Sequence, residues 1–144
     1  MIETFRSTEL LTKEGFKVMV YCNDDQLMAK RLENAGAVAI MPLAARIGSG
    51  LGIQNKVNIK IIRKQTKLPL IIYAGIGQAS DATIAMELGC DGGLINTAIA
   101  KARDPIQMAE AMKLAVISGR KSFLSGRISP NLFGSASTTN KGII

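Results

Sequence analysis

Residues 68–89 read LPLIIYAGIGQASDATIAMELG. The run Leu68–Ala74 is apolar throughout and does not alternate with polar residues. Strands of that kind are buried on both faces, as in a parallel sheet. The small residues Ala74-Gly75-Ile76-Gly77 then form a turn. Beyond them Ser80 stands where a helix cap is wanted, ahead of Ile84, Ala85 and Leu88 at helical spacing, and Gly89 stops the run. The segment reads as one strand–loop–helix unit.

The same unit recurs on either side. Apolar runs lie at FKVMVYC (Phe16–Cys22), AVAIMPL (Ala37–Leu43) and GGLINTA (Gly92–Ala98). After the first, Asn23 or Asp24 is expected to cap a helix with Leu27, Met28, Leu32 and Ala35 inward, closed by Gly36. After the second, Asn55 caps a helix with Val57, Ile61 and Ile62. After the fourth, Asp104-Pro105 opens a helix through Met108, Met112 and Val116 that is expected to end at Gly119. A shorter helix, about Glu3 to Glu14, comes first and ends at Gly15. Repeated strand–helix units build a doubly wound sheet or a barrel. GSGLG does not fit G-x-G-x-x-G followed by a distant acid, so the barrel is favoured. A full eight-unit barrel takes about 250 residues. The expected fold class is therefore α/β of the (β/α)8 TIM-barrel kind, an incomplete barrel of about four parallel βα units. Residues 1–133 form that domain, and residues 134–144, rich in Ser and Thr, read as a mobile C-terminal tail.

Composition narrows the function. The chain has 144 residues, 47% of them hydrophobic, enough for one domain with a real core. The net charge is +7, which suits an anionic partner. Aromatics are only 4% with no Trp, and the basic residues, among them Lys13, Lys30, Lys60 and Lys101, form no block, which argues against nucleic acid. There is no His, so the usual zinc ligand and the usual general base near neutral pH are missing, and no metal is expected. Cys22 and Cys90 fit no metal or redox pattern and read as buried thiols of a reducing compartment. No apolar run reaches the roughly 20 residues of a membrane span, and MIETFRSTELL has the marks of neither a signal nor a transit peptide.

Ligands of such barrels bind at the C-terminal ends of the strands. Those ends carry Asn23, Asp24 and Asp25; the loop Ile47–Gly52 of MPLAARIGSGLGIQN; Ala74 to Gly77; and Asn96 with Thr97. Glycine lets a phosphate approach backbone N–H groups closely. Two glycine loops and an Asn-Thr pair on one rim point to a phosphate site, where a side chain at Gly75 is expected to fill the ligand's space. The carboxylates carry less. Asp24 reads as a helix cap and Asp25 as a first-turn charge, while Asp91 precedes a strand and so lies at the opposite end. Lys30, Lys60, Lys64 and Lys113 read as solvated helix residues. No lysine stands at a strand's C-terminal end, ready for a Schiff base.

IGSGLGIQN, AGIG, SDATIAMELGCDG and NTAIAKARDPIQMAEAMKLAV together resemble thiazole synthase, the ThiG family of thiamin biosynthesis. The resemblance runs from about residue 3 to residue 137 and covers the C-terminal portion of that family's sequence. It implies a (β/α)8 barrel enzyme without a cofactor that condenses 1-deoxy-D-xylulose 5-phosphate with dehydroglycine. Sulfur would come from the thiocarboxylated C-terminus of a ubiquitin-like carrier protein. It puts substrate contacts on Gly48, Ala74, Gly75, Asn96 and Thr97. The family's Schiff-base lysine falls upstream of ETFRSTELL, so no catalytic residue is assigned within this stretch. The family's proton-moving aspartate corresponds to Tyr73, a poor base near neutral pH. Arg46 and Val20 replace prolines and Ala44 a glycine, and Arg46 brings a cation beside the glycine loop. Two readings follow: a thiazole synthase polypeptide, or a non-catalytic, truncated half barrel that still holds a sugar phosphate. A homo-oligomer is expected. The Lys-, Ile- and Asn-rich QNKVNIKIIRKQTK resembles a plastid-encoded member, so the location implied is the cytoplasm or the plastid stroma.

Overall fold

The computed structural model describes residues 2–134, and the expected tail lies, from residue 135 on, outside the described residues. The elements are α1 (Ile2–Lys13), β1 (Met19–Cys22), α2 (Gln26–Asn34), β2 (Ala39–Pro42), α3 (Lys56–Gln65), β3 (Ile71–Tyr73), α4 (Ala79–Glu87), β4 (Gly92–Leu94), α5 (Thr97–Ala100) and α6 (Pro105–Ser125).

The fold is α/β with parallel strands. β1 pairs with β2 from Met19 opposite Ala39 to Cys22 opposite Pro42. β3 pairs with β4 from Ile71 opposite Gly92 to Tyr73 opposite Leu94. Parallel bridges at Ile40–Leu70 and Leu43–Tyr73 join the two pairs. There Ile40 N donates to Pro69 O at 3.0 Å and Ala44 N to Tyr73 O at 2.9 Å. The spatial order thus follows the chain, as short crossovers favour. Leu32, Ile59 and Ile62 from α2 and α3 pack with Ile40, Leu70 and Ile72 from the sheet, all at most 1% exposed. Each such side chain contributes about 1.5–3 kcal/mol by leaving water.

Several local expectations are corrected. Burial on both faces holds for β2, but β1 alternates exposed and buried residues and β4 has two exposed residues of three. Met19, Tyr21 and Leu94 are each about half exposed, at 51%, 50% and 49%, because no element among the described residues covers their side of the edge strands. Asp25, not Asn23 or Asp24, caps α2, accepting from Leu27 N at 2.8 Å and Met28 N at 3.3 Å. Ser80 lies inside α4. The helix start is held instead by the Asp81 carboxylate, which accepts from Gly77 N and Gln78 N at 3.0 and 3.1 Å. The fourth strand ends at Leu94, and Thr97 begins the short α5. Gly119 does not end the last helix. It lies inside α6 where that helix meets α4, and a Cβ there would stand 2.5 Å from Thr83 O. Caps at Asn55 and Asp104 form as expected, accepting from Asn58 N at 3.1 Å and Gln107 N at 2.9 Å.

Candidate functional site

The C-terminal ends of the strands open onto one cleft of about 750 Å³. β1 supplies Tyr21, the loop after β2 supplies Gly48 to Gly50, the end of β3 supplies Tyr73 to Gly77, and the turn after β4 supplies Asn96 and Thr97. Gly48, Ala74, Gly75, Asn96 and Thr97, the residues singled out from the sequence, all line it. Asn23, Asp24, Asp25 and Arg46 do not. Asp25 is used as a cap, and Asp24 accepts from the Asn58 side-chain amide through its backbone oxygen at 2.9 Å. Asp91 lies at the opposite end of the strands, where its carboxylate accepts from Leu70 N at 3.0 Å and meets Arg63 at 2.7 Å.

The glycines of the rim have different uses. Gly52 N donates to Gly75 O at 2.7 Å, tying the loop after β2 to the loop after β3. Gly77 faces Gly50 so closely that a Cβ on Gly77 would collide with Gly50 O. A Cβ on Gly52 would stand 2.5 Å from the Asp81 carboxylate. A Cβ on Gly75 would meet the Ala45 backbone N and Cβ at 2.5 Å, with φ at +74°. The side chain expected to fill a ligand's space at Gly75 would therefore strike Ala45, not the cleft. Gly48 differs: it too has a positive φ, +75°, but a Cβ there meets nothing within 4 Å. Four glycines thus interlock two loops, while Gly48 lies open at the rim. Ala74 is the one non-glycine residue with a left-handed φ, +55°, among the described residues. Such backbone is held only where its surroundings over-determine it, and it recurs at ligand sites.

The cleft's chemistry is uneven. Tyr21 and Tyr73 form an aromatic wall, ring centroids 4.5 Å apart. Burial, with smaller contributions from Cys22 and Tyr21, pushes the Tyr73 phenol above the usual tyrosine range. Tyr73 therefore stays protonated near neutral pH and can donate a hydrogen bond. Burial likewise pushes the Cys22 thiol up to about 12, so it is not a nucleophile near neutral pH. Asn96 stands at the start of α5 yet makes no capping bond with its side chain. Among the described residues no carboxylate lines the cleft. Lys101 does line it, the one charged residue among the described residues that does. In the sequence Lys101 stands only among the scattered basic residues, because GGLINTA reads as strand to Ala98. Its four-residue spacing from Thr97 becomes one helical turn once α5 forms, but a lone spacing of that length is no signal in the sequence by itself.

The model of the family described as thiazole biosynthesis protein ThiG matches residues 1–139. The chain belongs to the ThiG family. A thiazole synthase of Pelagibacter ubique strain HTCC1062 is 74% identical over 144 residues, all of this chain and 56% of the relative. One of Maricaulis maris strain MCS10 is 60% identical, again over all of this chain and 54% of the relative. The ThiG match therefore spans about half the length of the curated relatives, a C-terminal portion of them. Among solved structures, the Amycolatopsis orientalis BexX/CysO complex matches with a TM-score of 0.86 at 34% identity, covering 91% of this ThiG-family chain and 53% of that one.

Proposed function

We propose that the chain is the sugar-phosphate-holding portion of a thiazole synthase, four βα units of a (β/α)8 barrel. Its cleft takes 1-deoxy-D-xylulose 5-phosphate for condensation with dehydroglycine and sulfur from a thiocarboxylated, ubiquitin-like carrier protein. The observation that carries this reading is the convergence of Gly48, Ala74, Gly75, Asn96 and Thr97, in a ThiG-family chain, on one cleft that no carboxylate lines among the described residues. An anion gains from such surroundings: open backbone at Gly48, an Asn96 amide that makes no capping bond, a neutral phenol and, among the described residues, no competing carboxylate. The carrier as partner is supported by the solved relative in complex with CysO.

A second reading is favoured by the lysines. Among the described residues Lys101 is the one lysine that lines the cleft, and it lies in the turn after α5 rather than at a strand end. By itself the chain would then hold the sugar phosphate without forming an imine with it.

One experiment addresses both readings. The purified chain is titrated calorimetrically with 1-deoxy-D-xylulose 5-phosphate, then treated with borohydride and weighed by mass spectrometry. Binding without a trapped adduct is expected. Adding the N-terminal portion of the Pelagibacter ubique relative should then yield an adduct on that portion. Absence of binding overturns the site, and an adduct on a lysine of this chain overturns the assignment of the imine elsewhere.

A further inference from the structure

We propose that Lys101 is a ligand-binding residue of this cleft, supplying the charge contact to the phosphate of a bound sugar monophosphate. The proposal rests on the sugar-phosphate reading of the site and adds a residue to the five contacts that the resemblance implies.

Three observations carry it. First, among the described residues Lys101 is the sole charged side chain lining the cleft and no carboxylate lines it, so none of them sets a counterion beside that charge. Second, it takes part in none of the ion pairs among the described residues, which join Arg6 to Glu3, Lys30 to Glu33, and Arg63 and Arg120 to Asp91. Third, Lys101 N donates to Thr97 O at 3.0 Å, which sets Lys101 one turn beyond Thr97. Side chains four apart on a helix share a face, and they lean toward the N-terminal turn. Lys101 therefore stands one turn beyond Thr97, and both line the cleft together with Asn96, whose side chain makes no capping bond. An ammonium on a flexible four-carbon stem binds phosphate as a point charge and needs no fixed fork geometry. Backbone N–H groups at the glycine rim orient the phosphate, and Lys101 neutralises it.

The test compares the whole chain with Lys101→Met, Lys101→Gln and Lys101→Arg. Lys113→Ala serves as control, because Lys113 is exposed on α6 and outside the cleft. Each protein is titrated with 1-deoxy-D-xylulose 5-phosphate and, separately, with inorganic phosphate. We expect the two uncharged variants to lose tenfold or more in affinity for both probes. Lys101→Arg should stay within threefold of the parent, and Lys113→Ala should be unchanged. Uncharged variants that bind within twofold of the parent overturn the role of Lys101 and leave the sugar-phosphate site standing. So does an equal loss in Lys101→Arg, since charge would then not be what matters. A parent chain that binds neither probe overturns both the site and the proposal. Thermal unfolding of each variant, expected to match the parent because Lys101 is exposed, separates lost binding from lost fold.

Discussion

Gly48 and Gly75 have the same backbone hand, φ +75° and +74°, and opposite surroundings. At Gly75 a methyl group would press on the Ala45 backbone, which cannot move aside without shifting the strand end that carries the site. At Gly48 the same methyl group would enter open space. A left-handed conformation costs an ordinary residue about 1–2 kcal/mol. Overpacking adds roughly 1–3 kcal/mol. We expect Gly48→Ala to lower unfolding stability by about 1–2 kcal/mol, and Gly75→Ala by about 2–5 kcal/mol, from those two costs. Urea unfolding followed by circular dichroism measures both. Equal losses would mean that Ala45 yields and that the two loops are not interlocked as described.

Among the elements, the pairing of α4 with α6 is the one whose glycine reverses an ordinary rule. In an exposed helix interior, Gly→Ala stabilises by about 1 kcal/mol. Gly119 sits in mid-α6, but its missing side chain is the space into which α4 fits. A Cβ there would lie 2.5 Å from Thr83 O and 2.8 Å from Met86 Cβ. Two helix backbones can approach this closely only across a residue without a side chain. We expect Gly119→Ala to destabilise by up to about 2 kcal/mol, the overpacking cost of roughly 1–3 kcal/mol less the propensity gain of about 1 kcal/mol, with the sign reversed from the helix-propensity expectation. A rise in the thermal midpoint would show that propensity outweighs the contact between these helices.

For the whole molecule, the uneven burial of the sheet matters most. β2 is buried throughout, whereas Met19, Tyr21 and Leu94 on the edge strands remain about half exposed. β1 and β4 have each a partner on one side only among the described residues. Exposed apolar side chains beside unpaired strand edges promote association between chains. We expect the purified chain to run larger than a 15.3 kDa monomer in light scattering, increasingly so with concentration. Tyr21→Lys together with Leu94→Lys should reduce that association. A monomer at all concentrations, with sharp cooperative unfolding, would mean that this face needs no cover.

Length, apolar runs and glycine punctuation by themselves determined βα units in parallel order and the rim formed by the loop Ile47–Gly52, the turn Ala74 to Gly77 and the Asn96-Thr97 pair. The resemblance narrowed that rim to Gly48, Ala74, Gly75, Asn96 and Thr97. These are local patterns: a continuous apolar run, a cap and a helical period are each written within some twenty residues. Family membership was legible for the same reason, from motifs spread along the chain. The tertiary structure decided what depends on residues distant in sequence. Gly75 and Gly119 look alike in sequence, as turn and stop. Only their contacts with Ala45 and Thr83 reveal that both exist for close approach. Asp81, rather than Ser80, holds the start of α4 because its carboxylate reaches two backbone N–H groups whose positions the preceding loop sets. Exposure of β1 and β4 could not be read from their apolar residues, since burial depends on what stands opposite. Lys101 entered the cleft only when GGLINTA divided into a short strand and a helical turn. A single turn of helix is too short for periodicity to reveal, and a side chain's neighbours across space are fixed by packing rather than by its own sequence context.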